Sequence, residues 1–167
     1  MQRQKLTGAI PESFYDATTL REIDLDYNKL TGTISSSIAK LTNLVFFTAS
    51  ENNFDEQNLP SAIGEITSLK YLGLDSANLV GQRPDSLKDL TRMILLDLSN
   101  NELTGDLSFV AGYNKIVSLA LDDNGFSGTI PSELWEFEDA NTINLENNKI
   151  AGGIPSSFDG LKKLMSK

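Results

Sequence analysis

The feature that most constrains this chain is an internal repeat with a period of about 24 residues. From Leu20 onward the sequence divides into six segments of 23 to 25 residues, preceded by a half-repeat at residues 1–19 and followed by a stub at residues 164–167. The six segments are residues 20–43, 44–68, 69–92, 93–115, 116–139 and 140–163. A period of this length is typical of solenoids, in which each unit packs only on its neighbours. One repeat domain covering residues 1–167 is therefore predicted.

The prolines and glycines support this division independently. All five prolines occupy one repeat position, and six of the 12 glycines share another. The prolines are Pro11, Pro60, Pro84, Pro131 and Pro155, and the six glycines are Gly8, Gly32, Gly81, Gly105, Gly128 and Gly152. Glycine permits a tight turn, whereas proline favours extended segments and edges. Each repeat should therefore contain a bend followed by an extended segment.

The first part of each segment alternates apolar and polar residues in the manner of a half-buried strand. Ile23 and Leu25 are predicted to point inward, and Glu22, Asp24 and Asp26 outward. Because one such strand is too short to be stable alone, the strands should stack about 4.8 Å apart as a parallel sheet over a continuous core. The row that tests this prediction is Ile23, Leu72, Leu96 and Leu119.

An asparagine follows five of the six predicted strands. These residues are Asn28, Asn52, Asn101, Asn124 and Asn148. An amide side chain both donates and accepts hydrogen bonds, so it can pair buried backbone groups where the chain leaves the sheet. We interpret the column as a structural ladder, which Ala77 interrupts in the third segment, with Asn78 next to it as a possible substitute.

The second segment contains an irregular turn. Phe54 to Pro60 is one residue longer than the corresponding part of other segments and lacks the glycine. The turn should therefore bulge outward, most simply as a tolerated surface insertion.

Composition excludes several classes of function. The sequence contains no cysteine and no histidine, so disulfide scaffolds, thiolate zinc sites and histidine-based triads are all unavailable. A formal charge of −9 disfavours nucleic acid and anionic membranes as partners. The longest apolar runs, such as 93–96, are far shorter than the roughly 20 residues that cross a bilayer. We expect no direct membrane insertion of this segment.

The pattern LxxLxLxxNxLxGxIPxxLxxLxx resembles the plant-type leucine-rich repeat over residues 6–163. The resemblance implies a right-handed curved solenoid of about six to seven repeats, in the strand-dominated α/β repeat class. It also implies a parallel sheet on the concave face, a second short strand near the glycine turn, and 3₁₀ or irregular segments outside. Such proteins serve as ectodomains of receptor-like kinases and receptor-like proteins, or as inhibitors of polygalacturonases.

The sequence departs from the family in two ways. It lacks the cysteine pairs that often cap plant-type repeat domains, and it contains no Asn-x-Ser/Thr sequon or signal peptide. The resemblance implies an extracellular location that the sequence itself does not establish. Because the chain begins in mid-repeat and stops just after Leu164, we expect either a piece of a longer protein or ends covered by another molecule.

The predicted outward strand positions carry the functional hypothesis, because packing explains the inward residues. Phe46, Tyr71 and Leu95 occupy one column in adjacent repeats, with Tyr27 nearby, and should form an apolar strip. The next columns are acidic, with Asp26, Asp75 and Asp122 as the candidate contacts. Aromatic side chains are favoured anchors at interfaces. The concave face is therefore predicted to bind a protein or peptide with basic flanks, although scattered exposed apolar residues can also lack any partner.

The outward acids resemble the carboxylate pair of a glycosidase, as in Asp24 with Asp26 or Asp122 with Glu146. A solvated strand face should not raise the pKa of either carboxyl, so we expect no enzyme. We likewise expect no metal and no cofactor. A structural scaffold packed through its open ends and outer surface is the main alternative. Binding of polysaccharide or ice would require a more regular outward surface.

Overall fold

The computed structural model describes residues 6–153 and contains two sets of short parallel strands joined by 3₁₀ helices. One set forms a six-stranded parallel sheet, the principal sheet, with one strand from each repeat and neighbours that follow chain order. Its strands are β2 (Glu22–Asp24), β4 (Phe46–Thr48), β6 (Tyr71–Gly73), β8 (Leu95–Asp97), β10 (Ser118–Ala120) and β12 (Thr142–Asn144). The predicted solenoid of stacked repeats is confirmed by this topology.

The middle residue of each strand of the principal sheet forms the core row. Ile23 pairs with Phe47, which pairs with Leu72, and the register continues through Leu96 and Leu119. Leu72, Leu96 and Leu119 are 0% exposed. No single repeat can enclose its own leucines, so each buried side chain depends on the repeats above and below it for exclusion of water. The predicted inward row is confirmed.

The second set of strands follows the asparagine column and confirms the second short strand that the resemblance implies. It is divided into a two-stranded sheet and a five-stranded sheet. The first contains β1 (Thr7–Ala9) and β3 (Lys29–Thr31); the second contains β5 (Gln57–Asn58), β7 (Leu79–Gln82), β9 (Glu102–Gly105), β11 (Gly125–Thr129) and β13 (Lys149–Ala151).

The irregular turn of the second segment lies at the break between these two sheets. Asp55 and Glu56 are exposed, as an outward bulge predicts, but Gln57 turns inward and is only 6% exposed. Its Oε1 accepts a hydrogen bond from the Ile34 backbone N–H at 2.7 Å. At this turn, the hydrogen bond to the Gln57 side chain therefore takes the place of one backbone hydrogen bond between strands.

Within residues 6–153, six five-residue 3₁₀ helices each connect a strand of the second set to the next strand of the principal sheet. They are η1 (Glu12–Asp16), η2 (Ser36–Lys40), η3 (Ser61–Glu65), η4 (Asp85–Asp89), η5 (Ser108–Gly112) and η6 (Ser132–Glu136). Proline immediately precedes η1, η3, η4 and η6, in an extended conformation with φ between −61° and −70°. Proline fixes this φ and donates no hydrogen bond, so it suits the extended residue that leads into each helix. Pro155 lies outside the described residues.

The asparagine ladder is present. Asn101 accepts hydrogen bonds from the backbone N–H groups of Ala77 and Leu79, and it donates to three carbonyl groups, those of Leu74, Leu98 and Ser99. Each rung thus pairs backbone groups of its own repeat and of the preceding repeat. At the interrupted position, Asn78 is exposed and donates to the Phe54 carbonyl. Asn78 therefore replaces only part of the missing rung.

Arg83 is a buried cation that the sequence analysis did not identify. It is 6% exposed, although other repeats place isoleucine or leucine at this position, as in Ile34, Leu107 and Ile130. Its guanidinium contacts one carboxylate oxygen each of Asp85, at 2.8 Å, and Asp106, at 2.6 Å, and its Cζ lies 5.1 Å from the centre of the Phe109 ring. Burial of a cation is costly unless the charge is paired, and both carboxylates supply that pairing.

Candidate binding surface

The predicted apolar strip forms on the exposed side of the principal sheet. Phe46, Tyr71 and Leu95 are the first residues of β4, β6 and β8, and the register pairs Phe46 with Tyr71 and Tyr71 with Leu95. All three side chains are half-buried. The ring centres of Phe46 and Tyr71 are 5.8 Å apart with an angle of 42° between the ring planes. We use the name apolar strip for these three residues.

Tyr27 does not join the strip. It lies beyond the end of β2, five positions after Glu22, which is the residue that pairs with Phe46. Its side chain is 59% exposed, and its φ of 56° places the backbone in the left-handed region. Successive strand residues advance about 3.3 Å, so Tyr27 lies well over 10 Å along the strand direction from the strip. A ligand must extend across the sheet to contact both.

The acidic column alternates aspartate with serine over its first five members. Its members, from the first repeat to the sixth, are Asp26, Ser50, Asp75, Ser99, Asp122 and Glu146. A serine separates Asp26 from Asp75, and another separates Asp75 from Asp122, so these carboxylates lie two strand spacings apart, or about 10 Å. At this distance, close to the Debye length in physiological salt, their mutual repulsion is weak.

The serines also make hydrogen bonds that hold the carboxylates. The Ser50 backbone N–H donates to Asp26 Oδ1 at 2.8 Å, and the Ser50 side chain opposes the upward shift in the pKa of the Asp75 carboxyl. In the next strand, the Ser99 hydroxyl donates to Asp97 Oδ1 at 2.7 Å. The neighbouring strand therefore holds the carboxylate of Asp26, and a serine of its own repeat holds that of Asp97. We use the name acidic field for Asp26, Asp75 and Asp122.

The expectation that this face is solvated was wrong for all three acids, because Asp122 is half-buried like the other two. Asp26 and Asp75 are half-buried, and burial raises the pKa of each carboxyl above its ordinary value, against the opposing effect of the hydrogen bonds from Ser50. Repulsion between neighbouring carboxylates adds a smaller upward shift of the pKa. Two incompletely hydrated carboxylates would therefore gain from a cationic partner.

Within residues 6–153, no group of three or more acidic side chains is arranged to hold a metal ion. In the same range, no helix is long and apolar enough to cross a membrane. What the exposed face of the principal sheet does offer is an apolar strip beside partly desolvated acids.

A second surface went unnoticed in the sequence analysis. Lys70, Arg92 and Lys115 line a groove together with Ile94 and Val117, at the edge of the principal sheet where its strands begin. The sequence signal for this surface was a cation at or next to each of three consecutive segment boundaries, in a chain whose formal charge is −9. Columns restricted to the strands themselves do not reveal it.

Comparison with known proteins identifies the architecture. The Leucine Rich Repeat family pattern matches residues 19–41 and 141–161. Among curated proteins of Arabidopsis thaliana, Receptor-like protein 39 is 34% identical over 140 residues, which is 81% of this chain and 16% of that protein. Receptor-like protein 35 is 32% identical over 157 residues, which is 92% of this chain and 15% of that protein. The chain thus spans about a sixth of these relatives.

Solved structures agree. The Arabidopsis receptor kinase HAESA, in complex with the peptide hormone IDA and the co-receptor SERK1, matches 96% of this chain over 26% of its own, with 34% identity and a TM-score of 0.88. The plant peptide hormone receptor RGFR1, in complex with RGF2, is 30% identical with a TM-score of 0.84, and the match covers 95% of this chain and 26% of that one. The ectodomain of the receptor kinase SOBIR1 from Arabidopsis thaliana is 30% identical with a TM-score of 0.67, and the match covers 73% of this chain and 68% of that one.

This chain belongs to the leucine-rich repeat family. Its relatives include the receptor-like proteins and receptor kinase ectodomains of plants. The resemblance drawn from the repeat pattern is therefore confirmed.

Proposed function

We propose that this chain is a non-catalytic recognition module that binds a protein or peptide through the exposed face of its principal sheet. The observation that carries the proposal is the juxtaposition of the apolar strip with the acidic field on one face. The strip supplies apolar area that a partner can cover, and the field supplies charge that selects what flanks it.

The apolar strip is the proposed anchor. The rings of Phe46 and Tyr71 already touch and are half-buried, so a partner side chain laid on them loses water while freezing few additional torsions. An anchor of this kind loses about 2 kcal/mol or more when it is truncated to alanine, which corresponds to about a 30-fold change in affinity.

The acidic field sets the chemistry of the partner. Because burial raises the pKa of Asp26 and Asp75, a lysine or arginine placed beside them stabilises the ionised form and lowers the pKa again. Affinity for a basic-flanked ligand should consequently increase as the pH rises from acid toward neutrality. We infer basic residues on either side of an apolar or aromatic one.

Two comparisons support this class of ligand. The matched structures of HAESA and RGFR1 contain the peptide hormones IDA and RGF2, respectively. By analogy, we propose an extracellular recognition role for this chain within a receptor-like protein, with the partner and the compartment open to experiment.

The proposal is tested by panning a random peptide display library against residues 1–167. The recovered peptides should share an apolar or aromatic residue with lysine or arginine nearby. Phe46→Ala with Tyr71→Ala should weaken their binding about 30-fold or more without changing the circular dichroism spectrum. Leu6→Ala, which truncates an exposed apolar side chain away from the strip, is the matched control.

Two results would contradict the proposal. In the first, the double variant binds the selected peptides as tightly as the unchanged protein does. In the second, panning enriches no common sequence and the isolated chain associates into open-ended oligomers, which would favour the scaffold alternative.

A further inference from the structure

We propose that the groove beside the starts of β6, β8 and β10 is a second docking surface, which binds a short acidic protein segment carrying an apolar side chain. We use the name lateral groove for it. It has a volume of about 730 Å³, and its lining includes three cations, an apolar floor and one acid. The lining residues are Lys70, Thr91, Arg92, Ile94, Lys115, Val117 and Asp139.

The backbone fixes the floor of the lateral groove. Lys70, Ile94 and Val117 each directly precede a strand of the principal sheet. The Ile94 N–H donates to the Lys70 carbonyl at 2.7 Å, and the Val117 N–H donates to the Ile94 carbonyl at 2.8 Å. These residues are consequently in register, about 4.8 Å apart from strand to strand. The half-buried side chains of Ile94 and Val117 form a rigid apolar base.

The rim of the lateral groove is cationic and available. Lys70, Arg92 and Lys115 are exposed, and none of them forms an ion pair within residues 6–153. By contrast, Lys40 and Arg83 in the same range are paired with carboxylates. These three cations line one groove on adjacent strands, so they repel one another, and an anionic partner relieves that repulsion.

Charge complementarity selects an acidic occupant, and the size and floor of the groove select a protein segment. Three strands span about 10 Å, the length of about three extended residues, so the groove accommodates a short stretch of chain. The floor contacts an apolar side chain, which a run of phosphates lacks. A long polyanion would also meet the repulsion of a chain with a formal charge of −9, whereas a few carboxylates stay within a Debye length of the cations.

The lateral groove complements the acidic field across the same sheet. Along β6 the order is Lys70 at the cationic edge, Tyr71 in the apolar strip and Asp75 in the acidic field, so the two candidate surfaces select ligands of opposite charge. Because Lys70 directly precedes Tyr71, the groove borders the strip. A partner that covers both surfaces must present acidic groups toward the strand starts and basic groups toward the strand ends.

The test uses residues 1–167 and three fluorescein-labelled peptides measured by fluorescence anisotropy. The probe is Glu-Leu-Glu-Leu-Glu, with Glu-Ser-Glu-Ser-Glu testing the apolar floor and Lys-Leu-Lys-Leu-Lys testing the sign of charge. We expect the first to bind at least several-fold more tightly than the other two. Higher salt should weaken its binding because exposed charges are screened.

Two triple variants, with the same change in net charge, locate the binding. Replacement of Lys70, Arg92 and Lys115 by glutamate should weaken binding of the acidic probe about tenfold or more, since each exposed pair contributes a factor of roughly 1.4 to 5. The matched control replaces the exposed Lys29, Lys88 and Lys149 by glutamate and should change the affinity less than about threefold.

The outcomes are separable from those of the proposed function. Phe46→Ala truncates the apolar strip and should leave binding of the acidic probe unchanged. The lateral-groove proposal is overturned if the acidic probe does not bind at about 1 mM, or if both triple variants weaken it equally. Tighter binding of phosphatidylserine vesicles or single-stranded DNA than of the peptide, lost in the groove variant, would also overturn it.

Discussion

Removal of Asn101 should destabilise the solenoid more than removal of any exposed asparagine. The Asn101 side chain makes five hydrogen bonds, and its loss leaves three backbone groups without another hydrogen-bond partner within residues 6–153: the N–H groups of Ala77 and Leu79 and the carbonyl of Leu74. The Leu98 carbonyl retains a bond from Asn124, and the Ser99 carbonyl retains one from a backbone N–H. An unpaired buried group costs about 1–3 kcal/mol.

Three such groups, partly reached by water, give an expected loss of about 3–4 kcal/mol for Asn101→Ala. For a chain of this length, that corresponds to a decrease in melting temperature of roughly 10 °C. Asn28→Ala should cost less, about 1 kcal/mol, because Asn28 pairs the N–H of the exposed Leu6 at the end of the described solenoid.

Guanidinium unfolding followed by circular dichroism measures both losses, and thermal unfolding checks their order. Asn53→Ala is the control, because that side chain is exposed and makes no hydrogen bond within residues 6–153; it should stay within about 0.5 kcal/mol of the unchanged chain. If Asn101→Ala loses no more stability than Asn53→Ala, the asparagine column is not a ladder, and the account of how neighbouring repeats are joined is wrong.

Two further predictions concern stability. Gly64→Ala should lower the free energy of unfolding in guanidinium by about 1–3 kcal/mol, because the added Cβ collides with the Ser86 backbone carbonyl. Gly112→Ala is the control: no atom lies closer than 3.5 Å to its added Cβ, so the free energy of unfolding should change by less than about 0.5 kcal/mol. Equal losses in the two variants would contradict the packing of η3 on η4. Asp75→Asn should stabilise the chain at pH 7, because burial raises the pKa of this carboxyl and the folded state therefore binds the proton more tightly. The gain should disappear below the ordinary pKa of 3.8, and a gain independent of pH between 3 and 7 would contradict the assigned cause.

The fold was predictable because the same pattern of core and turn residues recurs in six consecutive segments. A single strand such as Glu22–Asp24 is ambiguous, but proline, glycine and asparagine recurring in phase fix the turns and therefore the register. The irregular turn was predicted only in part. Its excess length was visible in the sequence. The inward position of Gln57, however, depends on its hydrogen bond from the Ile34 N–H of the preceding repeat, which no local pattern identifies.

The candidate site was predictable as columns but not as an environment. The register of Phe46, Tyr71 and Leu95 follows directly from the repeat, and the structure places them side by side. The separation of Tyr27 from the strip, and the partial burial of Asp75, depend on how far each residue lies along its strand and what its neighbours cover. Exposure is a property of several repeats together, so a column of letters does not supply it.

Arg83 shows why a departure from a repeat column has to be interpreted through the next repeat. Hydrogen bonds from the Ser108 hydroxyl and backbone N–H, and then from Arg83, lower the pKa of the Asp106 carboxyl to about 2. The carboxylate that neutralises the buried guanidinium thus remains charged in mild acid. Asp106 and Ser108 belong to the fourth segment, whereas Arg83 belongs to the third. A cation in a column of isoleucine and leucine is tolerated here because Asp85 of its own repeat and Asp106 of the adjacent repeat both neutralise it, and in a solenoid the adjacent repeat is the nearest source of such a second partner.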